Sequence, residues 1–227
     1  MPTVLITGAN RGMGLEYARQ YAADGWRVLA TCRDPGAAKE LAALDGDVEI
    51  YALDVTDHGQ VQSLAKTLRK ETIDLLLNNA GVYGPRPSKL GGIDYDAWQD
   101  IMWINVMAPL KVCECFRSHV ADSDLKKIAI MSSKMGSMGD NNSGASYVYR
   151  SSKAALNAAM KSLAVDLAPR GISVVILHPG WVRTDMGGPS GLIDAPESVS
   201  GLRQVIDHLS LETTGRFYNY DGSEIPW

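Results

Sequence analysis

The sequence has no excess of basic residues: 22 lysines and arginines stand against 26 aspartates and glutamates, a formal net charge of -4. Gripping a nucleic-acid backbone relies on clustered Lys and Arg, so this balance argues against nucleic acid as a partner. No stretch approaches the roughly 18 to 20 apolar residues that a membrane helix requires, which argues against a membrane partner. Met1 to Thr7 runs straight into an apolar strand pattern without a basic region or small-residue cleavage site, so no export signal is visible and a cytoplasmic location is expected. Cysteine is scarce and odd in number. Cys113 and Cys115 lie two apart in a helical pattern that points their side chains in separate directions, which argues against a disulfide between them. His58, His119, His178 and His208 are scattered without metal-ligand spacing, and no metal site is expected. Repeats, low-complexity tracts and interdomain linkers are missing too. With 227 residues, 45% hydrophobic and 21% charged, one domain over residues 1–227 is the expectation.

What is present is an alternation of short apolar runs with longer helical patterns. Val4 to Thr7, Val28 to Thr31, Val48 to Leu53, Ile73 to Leu77, Lys127 to Met131 and Ile172 to Leu177 read as strands, with a short seventh near Phe217 to Tyr220. Parallel strands need crossover connections of this length, so the pattern predicts an α/β fold: a Rossmann-type, doubly wound parallel sheet with helices on both faces. Leu75 to Leu77 and Val174 to Leu177 have the unbroken apolar character of central strands. Gly84 to Gly92, Gly136 to Gly144 and Gly187 to Pro196 are the most loop-like stretches, and all three could line one mouth beyond the strand ends. Residues 187–195 are expected to form a short substrate lid. Trp181, Met186, Tyr83 and Trp103 are candidate pocket residues or simple packing groups.

Two motifs carry chemistry. Thr7-Gly8-Ala9-Asn10-Arg11-Gly12-Met13-Gly14 follows the first strand and opens a helix. A tight turn, a close pyrophosphate and close helix packing leave no room for Cβ, while the helix N-terminus offers free N–H groups to phosphates. Further along, Tyr149 and Lys153 are four apart and so share one helix face. A free tyrosine titrates near ~10, and a nearby ammonium would lower it toward useful acid/base work.

The turn has glycine, three residues, glycine, one residue, glycine, and in this it resembles the short-chain dehydrogenase/reductase family over almost the whole chain. The resemblance implies roles for further residues. Asp54 and Val55 resemble the family's adenine-contacting pair, and Asn79, Ala80 and Gly81 its cofactor-side motif; Asp54 also reads as a turn residue before Thr56. Ser133 resembles the catalytic serine, Asn105 the helix asparagine that supports a water relay to the lysine, and Pro179 and Gly180, with Val182 and Thr184, the segment beside the nicotinamide amide. Ser133 precedes Tyr149 by 16 residues, three more than is usual in the family, which an insertion within Gly139 to Ser146 would reconcile. Ser132 and Ser137 could substitute for it. That insertion and the ending from Asn219 to Trp227 resemble the branch that includes carbonyl reductases and bacterial C-factor proteins.

The function implied is hydride transfer between a nicotinamide dinucleotide and a carbonyl or alcohol, with Tyr149 as proton carrier. A signalling protein of C-factor type that holds nucleotide with little or no turnover is the alternative. An epimerase or dehydratase would carry a sizeable C-terminal substrate region, and only about 40 residues follow Thr184. NADP(H) is expected over NAD(H), because Thr31 and Cys32 place no acid after the second strand whereas Arg33, joined by Arg11, can meet a 2′-phosphate; Asp34 should be carried outward by a turn at Pro35. The wide small and apolar surface of Ala154, Ala155, Leu156, Ala158, Ala159 and Leu163 suggests a homodimer or homotetramer.

Overall fold

Seven short runs of apolar and β-branched residues pair in one all-parallel sheet in the order β3-β2-β1-β4-β5-β6-β7: β1 (Thr3–Thr7), β2 (Arg27–Cys32), β3 (Val48–Ala52), β4 (Leu75–Asn78), β5 (Lys127–Met131), β6 (Ser173–His178) and β7 (Arg216–Asn219). The computed structural model describes residues 1–86 and 89–227. The helices are α1 (Gly12–Ala23), α2 (Lys39–Ala42), α3 (His58–Thr67), α4 (Tyr95–Met102), α5 (Ala108–Ala121), α6 (Tyr147–Leu167) and α7 (Ala195–Asp207). The strand expectations hold to within a residue or two.

Side chains alternate across the sheet, and each face builds its own core. Leu5, Leu29, Leu76, Ile128 and Ile176 point to the face covered by α3, α5 and α6, where they meet Phe116, Val120, Leu156 and Met160. Their neighbours Val4, Ile6, Val28, Leu77 and Val175 point to the opposite face and pack on Tyr17, Tyr21, Val199 and Leu202 from α1 and α7. Leu75 to Leu77 and Val174 to Leu177 are fully buried, as their unbroken apolar character requires.

The sheet order reverses beside β1, whose neighbours are β2 on one side and β4 on the other. At such a switch point the connections leave toward opposite faces and open a crevice beyond the strand ends, where ligands of open α/β sheets bind. Between α4 and α5 the helix widens into a π turn, Trp103–Met107, with Pro109 at the start of α5. Proline has no N–H for the carbonyl of Asn105 and its ring crowds that carbonyl, so a wider turn accommodates it. No helix among the described residues is long and apolar enough to cross a membrane.

Candidate active site

The crevice is a cavity of about 750 Å³ that runs from Met13 at the start of α1 past Ser133 and Tyr149 to Pro85, Ser143 and Met186. All three predicted loops contribute to its wall; within the first, Pro87 and Ser88 lie outside the described residues.

At one end, the start of α1 is suited to an anion. Arg11 stands at its cap in an extended conformation with no side-chain cap, and no acidic residue occupies the first turn. Gly8 and Gly12 have φ of +68° and +54°, the left-handed region that glycine adopts at least cost. A Cβ on Gly14 would collide with the Gly8 carbonyl oxygen and lie 2.6 Å from Asn79 Nδ2. The free N–H groups and this glycine cradle fit a dinucleotide pyrophosphate. Arg11 Nη1 pairs with Asp185 at 3.2 Å, an exposed ion pair. Arg33 is exposed just past β2; the hydrogen bonds from Thr56 hold the Asp54 carboxyl below the usual carboxylate range, with the charge of Arg33 a smaller contribution. Asp34 turns aside as expected, its carboxylate accepting from Gly36 N at 3.0 Å and Ala37 N at 3.3 Å. Asp54 shows its turn role, accepting from Thr56 N at 2.9 Å and Thr56 Oγ1 at 2.7 Å, while Val55 packs against the core.

Asn79 and Asn105 are braces. Asn79 Nδ2 donates to Thr7 O and Gly8 O at 3.0 and 3.1 Å, and the backbone N–H groups of Asn79 and Ala80 both reach Thr7 Oγ1 at 3.0 Å. Asn105, 1% exposed, accepts from Val82 N at 3.0 Å and donates to Val82 O at 2.9 Å and to Ser152 Oγ at 3.1 Å. Gly81 is thereby held where a Cβ would lie 3.5 Å from Lys153 Nζ.

Tyr149 and Lys153 lie within the first two turns of α6 and are both buried. The expected lowering of the phenol pKa is not what this geometry produces. Burial pushes Tyr149 up to about 12, opposed by a hydrogen bond with Ser133 and by the charge of Arg86. Lys153 Nζ sits 5.8 Å from the ring centroid and donates to Met131 O at 3.0 Å, and burial pulls it down to about 8. Desolvation is the largest influence on each group, so each is driven toward its neutral form.

The loop between β5 and α6 resolves which serine meets the phenol. Ser132 Oγ donates to Asn157 Oδ1 at 2.5 Å in the interior, and Ser137 Oγ turns toward Trp227 O at 3.4 Å, whereas Ser133 meets Tyr149. The 16-residue separation is absorbed by a loop tied to the C-terminus through Gly139 N and Trp227 O at 2.8 Å, which enters α6 through three left-handed residues, Gly144, Ala145 and Ser146. Pro179, Gly180, Val182 and Thr184 complete the wall beside Met13. The segment behind them is folded back on itself by Arg183 N to Ile193 O at 2.9 Å and Leu192 N to Trp181 O at 2.7 Å.

Of the candidate pocket residues, Tyr83, Trp181 and Met186 line the cavity and Trp103 does not: it stacks on His58 at 4.9 Å, and its Nε1 donates to Thr56 O at 3.1 Å. Sequence reasoning missed a stack over the phenol, in which Tyr83 lies 4.4 Å from the Tyr149 ring and the Arg86 guanidinium 4.0 Å above Tyr83. Their position in a Gly- and Pro-rich loop carried no periodic signal.

Comparison with known proteins agrees with this geometry. The family model described as short chain dehydrogenase matches residues 2–192. The chain belongs to that family. Among its relatives, C-signal of Myxococcus xanthus is 46% identical over 155 residues, covering 68% of this chain and 93% of the relative. The 1-hydroxy-2-glutathionyl-2-methyl-3-butene dehydrogenase of Rhodococcus sp. (strain AD45) is 37% identical over 233 residues, spanning all of both chains. Among solved structures, carbonyl reductase Sniffer of D. melanogaster superposes with a TM-score of 0.92 at 33% identity over all of both chains. The NADPH-bound carbonyl reductase from chicken fatty liver gives 0.91 at 32% identity, covering all of this chain and 99% of that one. The short-chain dehydrogenase expectation, its carbonyl-reductase and C-factor branch, and the Rossmann-type sheet are thus borne out.

Proposed function

We propose that this chain is an NADP(H)-dependent carbonyl reductase, able to run in reverse on the corresponding alcohol, with Tyr149 giving and taking the proton. The observation that carries the reading is the meeting of Ser133 and the buried Tyr149 phenol in one cavity with the uncapped, glycine-lined start of α1. When bound, the dinucleotide supplies or accepts the hydride. Gly8, Asn10, Arg11, Gly12, Met13 and Gly14 hold its pyrophosphate; Arg33 takes the 2′-phosphate; Asp54 and Val55 flank the adenine. Asn79, Ala80 and Gly81, with Pro179, Gly180, Val182 and Thr184, border the nicotinamide half. Ser133 holds the substrate oxygen. A phenol that remains protonated at neutral pH suits donation to that oxygen as it gains alkoxide character. Asn105 positions the Gly81 to Val82 backbone against Lys153.

NADP(H) is favoured by Asp34, whose carboxylate is occupied in its own turn, and by the exposed Arg33 beside it; NAD(H) remains a weaker cofactor. Carbonyl reductases bound to NADPH or NADP among the structural relatives support the same choice. The C-signal relative keeps a nucleotide-binding signalling role as the alternative, but the assembled proton-transfer groups favour turnover. The protein acts in the cytoplasm on small molecules and forms a homodimer or homotetramer through α6.

The test is NADPH oxidation across aldehydes, ketones and quinones. Tyr149→Phe should remove most turnover while leaving dinucleotide binding nearly intact, and wild-type reduction by this variant would refute the mechanism. A wild-type preference for NADH would overturn the cofactor assignment, and an Arg33→Ala variant with undiminished NADPH preference would remove Arg33 from it. Dinucleotide binding with no turnover on any carbonyl would favour the signalling reading.

A further inference from the structure

Resting on the carbonyl-reductase reading, we propose that the substrate carries an anionic group, carboxylate or phosphate, and that Arg150 and Arg86 recognise it. The charge of the cavity runs against that of the protein. The chain is acidic overall, at -4, yet the described wall includes Arg86, Lys89, Lys134 and Arg150 against a single carboxylate, Asp140. Asp140 is already matched, pairing with Lys134 at 3.2 Å. His178 adds no charge at neutral pH, because burial and the nearby Lys134 hold it down at about 4.

Both arginines are held by neutral partners. Arg150 follows Tyr149 on α6; its Nη1 donates to Met135 O at 3.3 Å and its Nη2 to Ser143 Oγ at 2.8 Å, while its buried Nε has no partner among the described residues. Arg86 lies 4.0 Å over the Tyr83 ring and donates through Nη2 to Met186 O at 3.0 Å. Neither guanidinium has a carboxylate at ion-pair distance among the described residues. Orientation is therefore fixed in advance while the charge stays uncompensated. Arg150, half-buried, is the partly desolvated charge that gains most from an anion; Arg86 is exposed and adds a second fork, and such forks match carboxylate and phosphate oxygens. Tyr83, Met135 and Met186 offer the organic body of the molecule an apolar surface beside the charges. These arginines flank Tyr149, Arg86 from the loop after β4 and Arg150 from the first turn of α6, whereas the uncapped start of α1, which suits the dinucleotide phosphates, is at the other end of the cavity.

The experiment compares matched substrates with NADPH: 4-acetylbenzoate against 4-acetylbenzamide, and 4-acetylphenyl phosphate against 4-acetylanisole. At low salt the charged member of at least one pair should have a kcat/KM about tenfold or more above its neutral match, since a charge-assisted hydrogen bond commonly contributes that much. The pair that shows the preference distinguishes carboxylate from phosphate. Arg150→Gln and Arg86→Gln should each lower the charged-to-neutral ratio, and about 0.5 M salt should compress it. No preference for either anion, or a preference that neither substitution lowers, would overturn the proposal. Dissociation constants of the same compounds by calorimetry give a readout free of turnover. Tighter binding of an anion without reduction of any compound would support this site and refute the reductase reading; equal binding of charged and neutral partners would overturn the anion site alone.

Discussion

Lys153 should cost the folded protein stability, and removing its charge should make the fold stronger while making the site useless. Its ammonium is 5% exposed, has the Met131 carbonyl as its hydrogen-bond acceptor, and is lowered by burial from 10.5 to about 8. That gap corresponds to about 3 kcal/mol of destabilisation wherever the group is protonated in both the folded and unfolded chain, which is below pH 8. Between about 8 and 10.5 the unfolded chain keeps a proton that the folded chain has released, so this group makes stability rise with pH, and the penalty is gone above 10.5. Lys153→Met keeps an unbranched chain and loses the charge. It forfeits the bond to Met131 O, at about 1 kcal/mol, so the net gain at pH 7 is about 2 kcal/mol. For a chain of this size that raises Tm by about 4 to 8 °C.

Calorimetric unfolding of wild type and Lys153→Met at pH 7 and pH 10 checks this, without dinucleotide, because a ligand bound only by the folded state adds its own stabilisation. The variant should lead at pH 7, and its lead should shrink as pH approaches 10. A variant less stable than wild type at pH 7, or a difference that does not change with pH, would refute the reasoning. The same substitution should abolish reduction and weaken dinucleotide binding.

Gly14→Ala should destabilise the protein by about 2 kcal/mol or more in urea unfolding, because its Cβ meets backbone that cannot yield, whereas Gly12→Ala has 3.8 Å of clearance and only a left-handed φ of +54° to overcome, at about 1 kcal/mol. Equal losses would mean that the close approach at Gly14 is easily relieved. Ser133→Ala should lower kcat at least about tenfold, while Ser132→Ala, which leaves Asn157 without its donor, should act mainly on stability, by about 1 kcal/mol. The reverse ranking in steady-state kinetics would exchange the two serines. Light scattering at micromolar concentration should give a dimer or tetramer that Ala158→Arg on the exposed side of α6 weakens; a monomeric wild type removes that interface.

The sheet was legible because buried parallel strands leave unbroken apolar runs, and Lys127 to Met131 was placed to the residue. The glycine-rich turn and the four-residue step from Tyr149 to Lys153 were legible because each imposes a spacing. The π turn left no such mark, since Trp103 to Met107 continues a helical pattern and only Pro109 hints at a widened turn. Whether Trp103 lines the pocket or packs elsewhere was left open for the related reason that apolar character does not say which side of a helix a ring will face, and it packs on His58. The protonation of the pair was the deeper error. Proximity in sequence implies an electrostatic attraction, but the competing desolvation depends on burial by the loop after β5, by β6 and by the π turn, which spacing cannot report.

The polar side chains of the site divide its two walls into different kinds of structure. On the side of β1 and β4, Thr7, Asn79 and Asn105 spend their hydrogen-bonding groups on the backbone from Thr7 to Val82, so moving that wall breaks several buried bonds at once. The opposite wall is built from the far part of the loop between β4 and α4, the loops after β5 and β6, and the first turn of α6. There Ala145 and Ser146 hold left-handed conformations that non-glycine residues adopt at a cost, and Arg86 and Arg150 are tied through single bonds to carbonyls and a hydroxyl. A change of side chain on the first wall therefore disturbs the fold of the dinucleotide end. On the second, changes away from Ser133 and Tyr149 fall on the substrate side of the cavity instead. Family members that share the turn, the serine, the tyrosine and the lysine can differ in substrate through a few residues of this wall, and on the anionic-substrate proposal the two arginines are the ones to exchange in testing that.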